Sequence, residues 1–156
     1  MLPKGAGQYY LINLSALVLF IVDRLLKIYF VKNPAEIFDG VFFNLISFHF
    51  EKNFGVAFGI LFNQLVLLIL IILLIFGLFW FLLKSYQQKD IWQTFGLTLI
   101  VVGAISNLID RWRYGYVVDY IDVTFFTVLN LADVIISTGV VILILELFIK
   151  KRPVKQ

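Results

Sequence analysis

A chain of 156 residues that is 62% hydrophobic and 17% aromatic, with a mean hydropathy of +0.97, is too apolar for an ordinary soluble domain. Its net charge is +3 and it contains no cysteine, which excludes disulfides, thiol nucleophiles and Cys-ligated metals. No repeat, Ser/Gly linker or low-complexity tract divides it, so a single membrane domain over residues 1–156 is expected.

A membrane-crossing helix needs about 20 mostly apolar residues, and four segments meet that length: about 9–30, 65–83, 91–109 and 129–149. The expected fold is an all-α integral membrane protein with four transmembrane helices and a small strand-containing extracytoplasmic platform. The first segment runs into "IVDRLLKIYF", where Asp23, Arg24 and Lys27 interrupt it. Its apolar part has the length of a signal-peptide h-region, but charges stand where a small-residue cleavage site belongs, so an uncleaved helix is expected. Residues 33–50 are rich in aromatics and alternate near their end, which predicts strands; a plain interfacial anchor is the competing reading. The second and third segments carry no formal charge inside their borders, whereas the fourth holds Asp133 and Glu146. Glu146 precedes Lys150 by four residues, the favourable order for a helical ion pair, and is read as structural.

Basic residues set the orientation. One side gathers Lys4, Lys84, Lys89, Lys150, Lys151, Arg152 and Lys155; the other mixes Lys32, Lys52, Arg111 and Arg113 with acids. The first side is therefore expected to be cytoplasmic, with both termini there and segments 31–60 and 111–128 extracytoplasmic. Tyr86 and Trp92 flank one interface, and Trp112, Tyr114 and Tyr116 the other, which anchors depth without naming a side.

With that topology the unusual polar residues converge on the extracytoplasmic face: "DRLLK" (23–27), "KNFGVAF" (52–58), "SNLIDR" (106–111), Asp119 and "NLAD" (130–133). Asp23 with Lys27, Asn107 with Asp110 and Arg111, and Asn130 with Asp133 each have helical spacing. Charges in hydrocarbon are costly unless paired or set in a wet cavity, so such a cluster leans functional; stitching of helix ends by ion pairs and caps is the plainer alternative. The lone His49 excludes an HExxH zinc site, and Ser106 or Ser137 would have only Lys27 as a nearby base. No cofactor, metal or nucleic-acid partner is expected. What remains are carboxylates, above all Asp119 in a strand-like run and Asp133 at a helix start. Two close carboxyls can share one proton, so that one activates water while the other donates to a carbonyl.

In five ordered blocks the chain resembles the lipoprotein signal peptidases, or signal peptidase II: "DRLLK", "NFGVAF", "SNLIDR", "VVDY" and "LNLAD". The resemblance implies catalytic roles for Asp119 and Asp133 and active-site positions for Asp23, Lys27, Asn53, Asn107, Asp110, Arg111 and Asn130. It also implies a bacterial cell membrane location and a prolipoprotein substrate with a diacylglyceryl-modified Cys, cut just before that Cys with its lipid chains left in the bilayer. The chain departs from the family pattern at Val102, Ser106, Tyr120 and Leu129, changes expected to touch packing and pocket shape but not the carboxylates. Asp119 and Asp133 lie close in sequence, which implies a compact external loop. A transporter, or a noncatalytic assembly factor using the same polar cluster, is the alternative class; a transport path would need polar groups through both halves of the bundle, and the inner halves of the second and third helices are almost bare.

Overall fold

The computed structural model describes residues 6–41, 45–55 and 64–150. Four helices, α1 (Ala6–Lys32), α2 (Gln64–Gln88), α3 (Ile91–Tyr114) and α4 (Leu131–Lys150), enclose one polar end. Between them run strands β1 (Ile37–Val41), β2 (Ile46–Asn53), β3 (Val117–Val123) and β4 (Thr127–Leu129) in one antiparallel sheet of order β1-β2-β3-β4. The chain is thus mostly helical with a small sheet, and α2, α3 and α4 are each long and apolar enough to cross a membrane. At 27 residues α1 is longer than any of them, but its last turns carry Asp23, Arg24 and Lys27. Val56, Ala57 and Phe58 of the "NFGVAF" block, and Lys4, Lys151, Arg152 and Lys155, lie outside the described residues.

The middle of the bundle is α3. More than half of its apolar stretch is buried, whereas α2 turns nearly all of its side chains outward. Helices α3 and α4 approach backbone to backbone at glycines. A Cβ on Gly139 would lie 2.5 Å from Gly96 O, and one on Gly103 would lie 2.7 Å from Ala132 O. The second contact presses the start of α4 against α3 and brings Asp133 beside Asn107. Gly103 supplies this approach, so Val102 is accommodated in a half-buried place.

Helix α3 begins at Asp90, whose carboxylate accepts from Gln93 N, and ends at Gly115 in the left-handed region (φ 78°). The chain turns there into β3, and β3 with β4 returns it to α4. Helices α1 and α2 run past both of their expected ends, α2 as far as Gln88, and two further differences bear on the site. Helix α3 continues through Arg111 to Tyr114, and Leu129 belongs to β4, with α4 starting only at Leu131. Both differences follow from caps: Gly115 sits one turn beyond Arg111, and Asn130 delays the helix by capping it.

The sheet flanks α1 through a core of Phe30, Val118 and Tyr120, joined by Phe48 and Phe50. Phe30 and Tyr120 stack at 4.9 Å between ring centroids. Opposite Tyr120 the β2–β3 register slips, since Phe48 pairs with Ile121 but Glu51 with Asp119. The slip is a bulge, which re-aims side chains beside a site. His49 lies in this bulged stretch of β2, with Nε2 3.7 Å from Glu51 Oε2.

Candidate active site

Where α1 and α3 end and α4 begins, two acids and one base are buried together, with the partly buried Arg24 at their edge. Lys27 Nζ reaches Asp110 Oδ2 at 2.9 Å, Asp23 Oδ2 at 3.2 Å and Asn107 Oδ1 at 2.7 Å. Arg24 Nη1 pairs with Asp110 Oδ1 at 2.6 Å and donates to Ser106 O at 3.1 Å. The quartet Asp23, Arg24, Lys27 and Asp110 is neutral in sum, which makes its burial tolerable. It is also a joint between elements. Asp110 Oδ2 accepts from Val118 N at 3.2 Å, fixing β3 to α3, and Asp23 Oδ1 accepts from Ala132 N at 3.0 Å, fixing α4 to α1. Tyr120 extends the joint: its hydroxyl donates to Asp23 Oδ1 at 3.4 Å and accepts from Leu131 N at 3.1 Å. Two of the orphan N–H groups at the start of α4 are thereby satisfied.

Above this base stand Asp119 and Asp133, held by three asparagines used in one way. Asn53 Oδ1 accepts from Gly55 N at 2.8 Å, so its amide nitrogen must face Asp119 Oδ2, at 2.8 Å. Asn130 Oδ1 accepts from Asp133 N at 3.0 Å, so its nitrogen faces Asp119 Oδ1, at 2.6 Å. Asn107 Oδ1 accepts from the Lys27 ammonium, so its nitrogen faces Asp133 Oδ1, at 2.8 Å. In each case a donor with no accepting capacity occupies the amide oxygen and directs the NH2 group at a carboxylate. Asp133 Oδ2 accepts from Asn130 N at 3.2 Å, which completes a reciprocal capping box at the start of α4. Asn130 therefore touches both carboxylates.

Gly55 earns its place in the N-x-G spacing by conformation and by space. Its φ is +84°, and a Cβ there would meet Leu67 at 3.0 Å and the Arg111 guanidinium at 3.2 Å. Among the described residues Arg111 makes no hydrogen bond to a carboxylate. Its Nη1 is 3.5 Å from Asn107 O and its Nε is buried with no hydrogen-bond partner among the described residues, while its charge acts over a longer range on Asp133, Asp119 and Asp110.

Burial pushes the Asp119 carboxyl up to about 6, against the donors from Asn53 and Asn130 that favour its ionised form; the Asp133 charge adds to the rise and Lys27 opposes it. Tyr120 is pushed well above the usual phenol range, first by burial and then by Asp23, so it stays a hydroxyl donor. A cavity of about 380 Å³ runs from Asp133 down α4 past Val134, Ser137 and Val141. Among the described residues no group of His, Cys, Asp and Glu side chains is placed to hold a metal.

Asp23, Lys27, Asn53, Asn107, Asp110, Asp119, Asn130 and Asp133 are thus joined in continuous contact, with Arg111 beside them. Three further members, Arg24, Ser106 and Tyr120, are named by the sequence reading but not placed by it in the site. Ser106 Oγ donates to Asp23 Oδ2 at 2.5 Å, and Tyr120 reaches the same carboxylate, so these two departures bear on a carboxylate as well as on packing. Helical spacing could have found two of the three, since Ser106 precedes Asp110 by four and Arg24 precedes Lys27 by three. Asp119 lies in β3, almost wholly buried.

A helical membrane protein with two carboxylates on a shared asparagine, set over a buried ionic joint, is the class that fold and site define. The profile of "Signal peptidase (SPase) II" matches residues 15–149. The chain is 37% identical to a lipoprotein signal peptidase of Caldicellulosiruptor bescii, over 93% of this chain and 99% of that one. It is 33% identical to that of Streptococcus pneumoniae, over 88% and 92%. A bacterial membrane enzyme solved by the in meso method at 2.3 Å resolution superposes with a TM-score of 0.80 at 27% identity, covering 97% of this chain and 93% of that one. The chain belongs to the signal peptidase II family and is a bacterial membrane peptidase.

Proposed function

We propose that this chain is an aspartic endopeptidase that removes the signal peptide from prolipoproteins, cutting before a Cys that carries a diacylglyceryl group. The observation that carries the reading is the pair Asp119 and Asp133, bound to one residue, Asn130, at the polar end of a membrane bundle. In this reading α1 is the fourth span, the chain is one domain with both termini cytoplasmic, and the site faces the extracytoplasmic side. Glu146 supports a one-sided site: it pairs within α4 with Lys150 at 2.6 Å, and Lys150 in turn bonds Asp90 and so ties the far ends of α3 and α4.

In the proposed reaction Asp133 is the ionised partner. It sits in the first turn of α4, where its Oδ2 accepts from Asn130 N and its Oδ1 from the Asn107 amide. Asp119, with its raised pKa, is the protonated partner and donates to the scissile carbonyl. Asp133 takes a proton from water as the oxygen attacks the carbonyl carbon; the C–N bond then breaks and the Cys nitrogen takes that proton. The substrate's lipid chains remain in the bilayer. Incubating purified protein with a diacylated prolipoprotein peptide tests this directly. Cleavage before the lipidated Cys is expected, and binding without cleavage would favour an assembly factor instead.

The pH dependence has a definite sign. With Asp119 as the acid, kcat/KM should fall as pH rises through the raised pKa, near about 6 in the free protein. Asn53→Ala removes a donor that favours the ionised form, so it should move this alkaline limb to higher pH. A limb that stayed put or moved down would detach Asn53 from the titrating pair. Glu146→Gln, by contrast, should leave cleavage nearly intact and lower only thermal stability in detergent; loss of turnover in well-folded protein would contradict a one-sided site.

A further inference from the structure

The hairpin tip between β3 and β4 has the wrong residues for a turn in water. Its β-turn is closed by Phe126 N–H to Val123 O at 2.9 Å, and its third residue, Phe125, has φ +68°. Glycine or asparagine usually fills such a position. Here a phenylalanine occupies it with its side chain fully exposed, and Phe126 beside it is 78% exposed. Thr124 N donates to Leu45 O at 3.0 Å, which adds the exposed Leu45 to the same corner. No charged residue stands between Asp122 and Asp133. A bulky residue held at positive φ with its ring outward, next to a second bare ring, marks a contact surface.

The fold says what covers it. The sheet does not stand off the ends of the helices but lies along α1: Tyr120 stacks on Phe30 and reaches Asp23, which is nine residues before the end of that helix at Lys32. Nine helical residues span about 13 Å, so β3 runs beside the last turns of α1. Those turns carry the exposed Leu25 and Tyr29. Both feet of the hairpin are tied at this level, one through Gly115 to α3 and one through Asn130 to α4. The uncharged aromatic tip thus belongs to a hairpin that packs beside the outer turns of α1, and phenyl rings without charged neighbours suit the boundary between headgroups and acyl chains. We infer that Phe125 and Phe126 dock the β3–β4 hairpin into the lipid interface of the membrane the helices cross. Through this contact the bilayer holds the strand that carries Asp119 and the segment that carries Asn130.

The inference rests on the membrane reading but not on the proposed reaction, and its test involves no cleavage. Because the chain has no cysteine, Phe125→Cys and Phe126→Cys can each take a single nitroxide label. The full chain is placed in vesicles of phosphatidylethanolamine and phosphatidylglycerol without substrate, with thermal stability in detergent as the check on folding. Leu73→Cys, on the exposed apolar face of α2, is the lipid reference, and Gln88→Cys, exposed at the end of that helix, is the aqueous one. Both tip labels should favour oxygen over a water-soluble nickel chelate several-fold more than the Gln88 label does, approaching the Leu73 label. Tip labels that match the Gln88 label would overturn the inference. So would labels shielded from both reagents, which would mean a protein partner or a second copy, or labels that become lipid-like only when substrate is added.

Discussion

Asp119→Asn and Asp133→Asn should each slow single-turnover cleavage by about 10²–10⁴-fold, the range expected for losing a positioned proton-transfer group. The double variant should lose little more, because two carboxyls sharing a task act as a unit. Each substitution keeps the shape but not the hydrogen bonding. Both oxygens of Asp119 accept from amide NH2 groups, and both oxygens of Asp133 accept from N–H donors. An asparagine can offer an oxygen to only one of its two donors, and its own NH2 then faces the other. Each single variant therefore also carries a stability cost, about 1–3 kcal/mol for a buried donor left unpaired. Thermal melting in detergent separates the two effects: a modest shift with cleavage all but gone supports the dyad, whereas substantial cleavage by either single variant removes it from the mechanism.

The polar cluster was legible because its spacings are local. Asp23 with Lys27 and Asn130 with Asp133 are one helical turn apart, and each pair is in contact in the fold. The strands were legible less completely. Alternation in residues 33–50 pointed to a platform and Asp119 stood in a strand-like run, but β4 has only 3 residues, and pairing of β3 with β2 spans more than 60 residues. The bulge opposite Tyr120 left no mark in the pattern. For the same reason Tyr120 read as a packing residue: its partners, Asp23 and Leu131, come from α1 and α4 and meet only in the folded protein. Asn130 as helix cap was hidden by the apolar residue before it, which extended the predicted helix back to Leu129. Cap geometry depends on φ and ψ, which hydropathy does not record.

The three asparagines show what sequence could not rank. Composition gives them equal standing, yet each has its oxygen occupied by a different kind of donor: a turn N–H for Asn53, a helix N–H for Asn130 and an ammonium for Asn107. The first two orientations are set by backbone and survive a change of charge nearby. The third depends on Lys27. Asn107 is thus the point at which the buried ionic joint and the carboxylate pair communicate.

Lys27→Ala should accordingly damage both stability and rate. Removing the ammonium leaves Asp23 and Asp110 buried with Arg24 as the one remaining base in contact with the quartet, and breaking a buried ion pair in this way costs about 3–5 kcal/mol. It also frees Asn107 Oδ1, so the amide can rotate and withdraw its NH2 from Asp133. Lys84→Ala serves as the control, since Lys84 is exposed and lies over the Trp80 ring at 5.4 Å. Folded yield by size exclusion and thermal stability in detergent should drop sharply for Lys27→Ala and hardly change for Lys84→Ala. A second substitution tests the cause. Adding Asp23→Asn to Lys27→Ala removes one uncompensated charge and should recover part of the stability, but not the cleavage rate, because Asn107 remains unheld. Recovery of both would place the effect of Lys27 in folding alone, and equal, negligible effects of Lys27→Ala and Lys84→Ala would show the helix 1 charges to be solvated and outside the site.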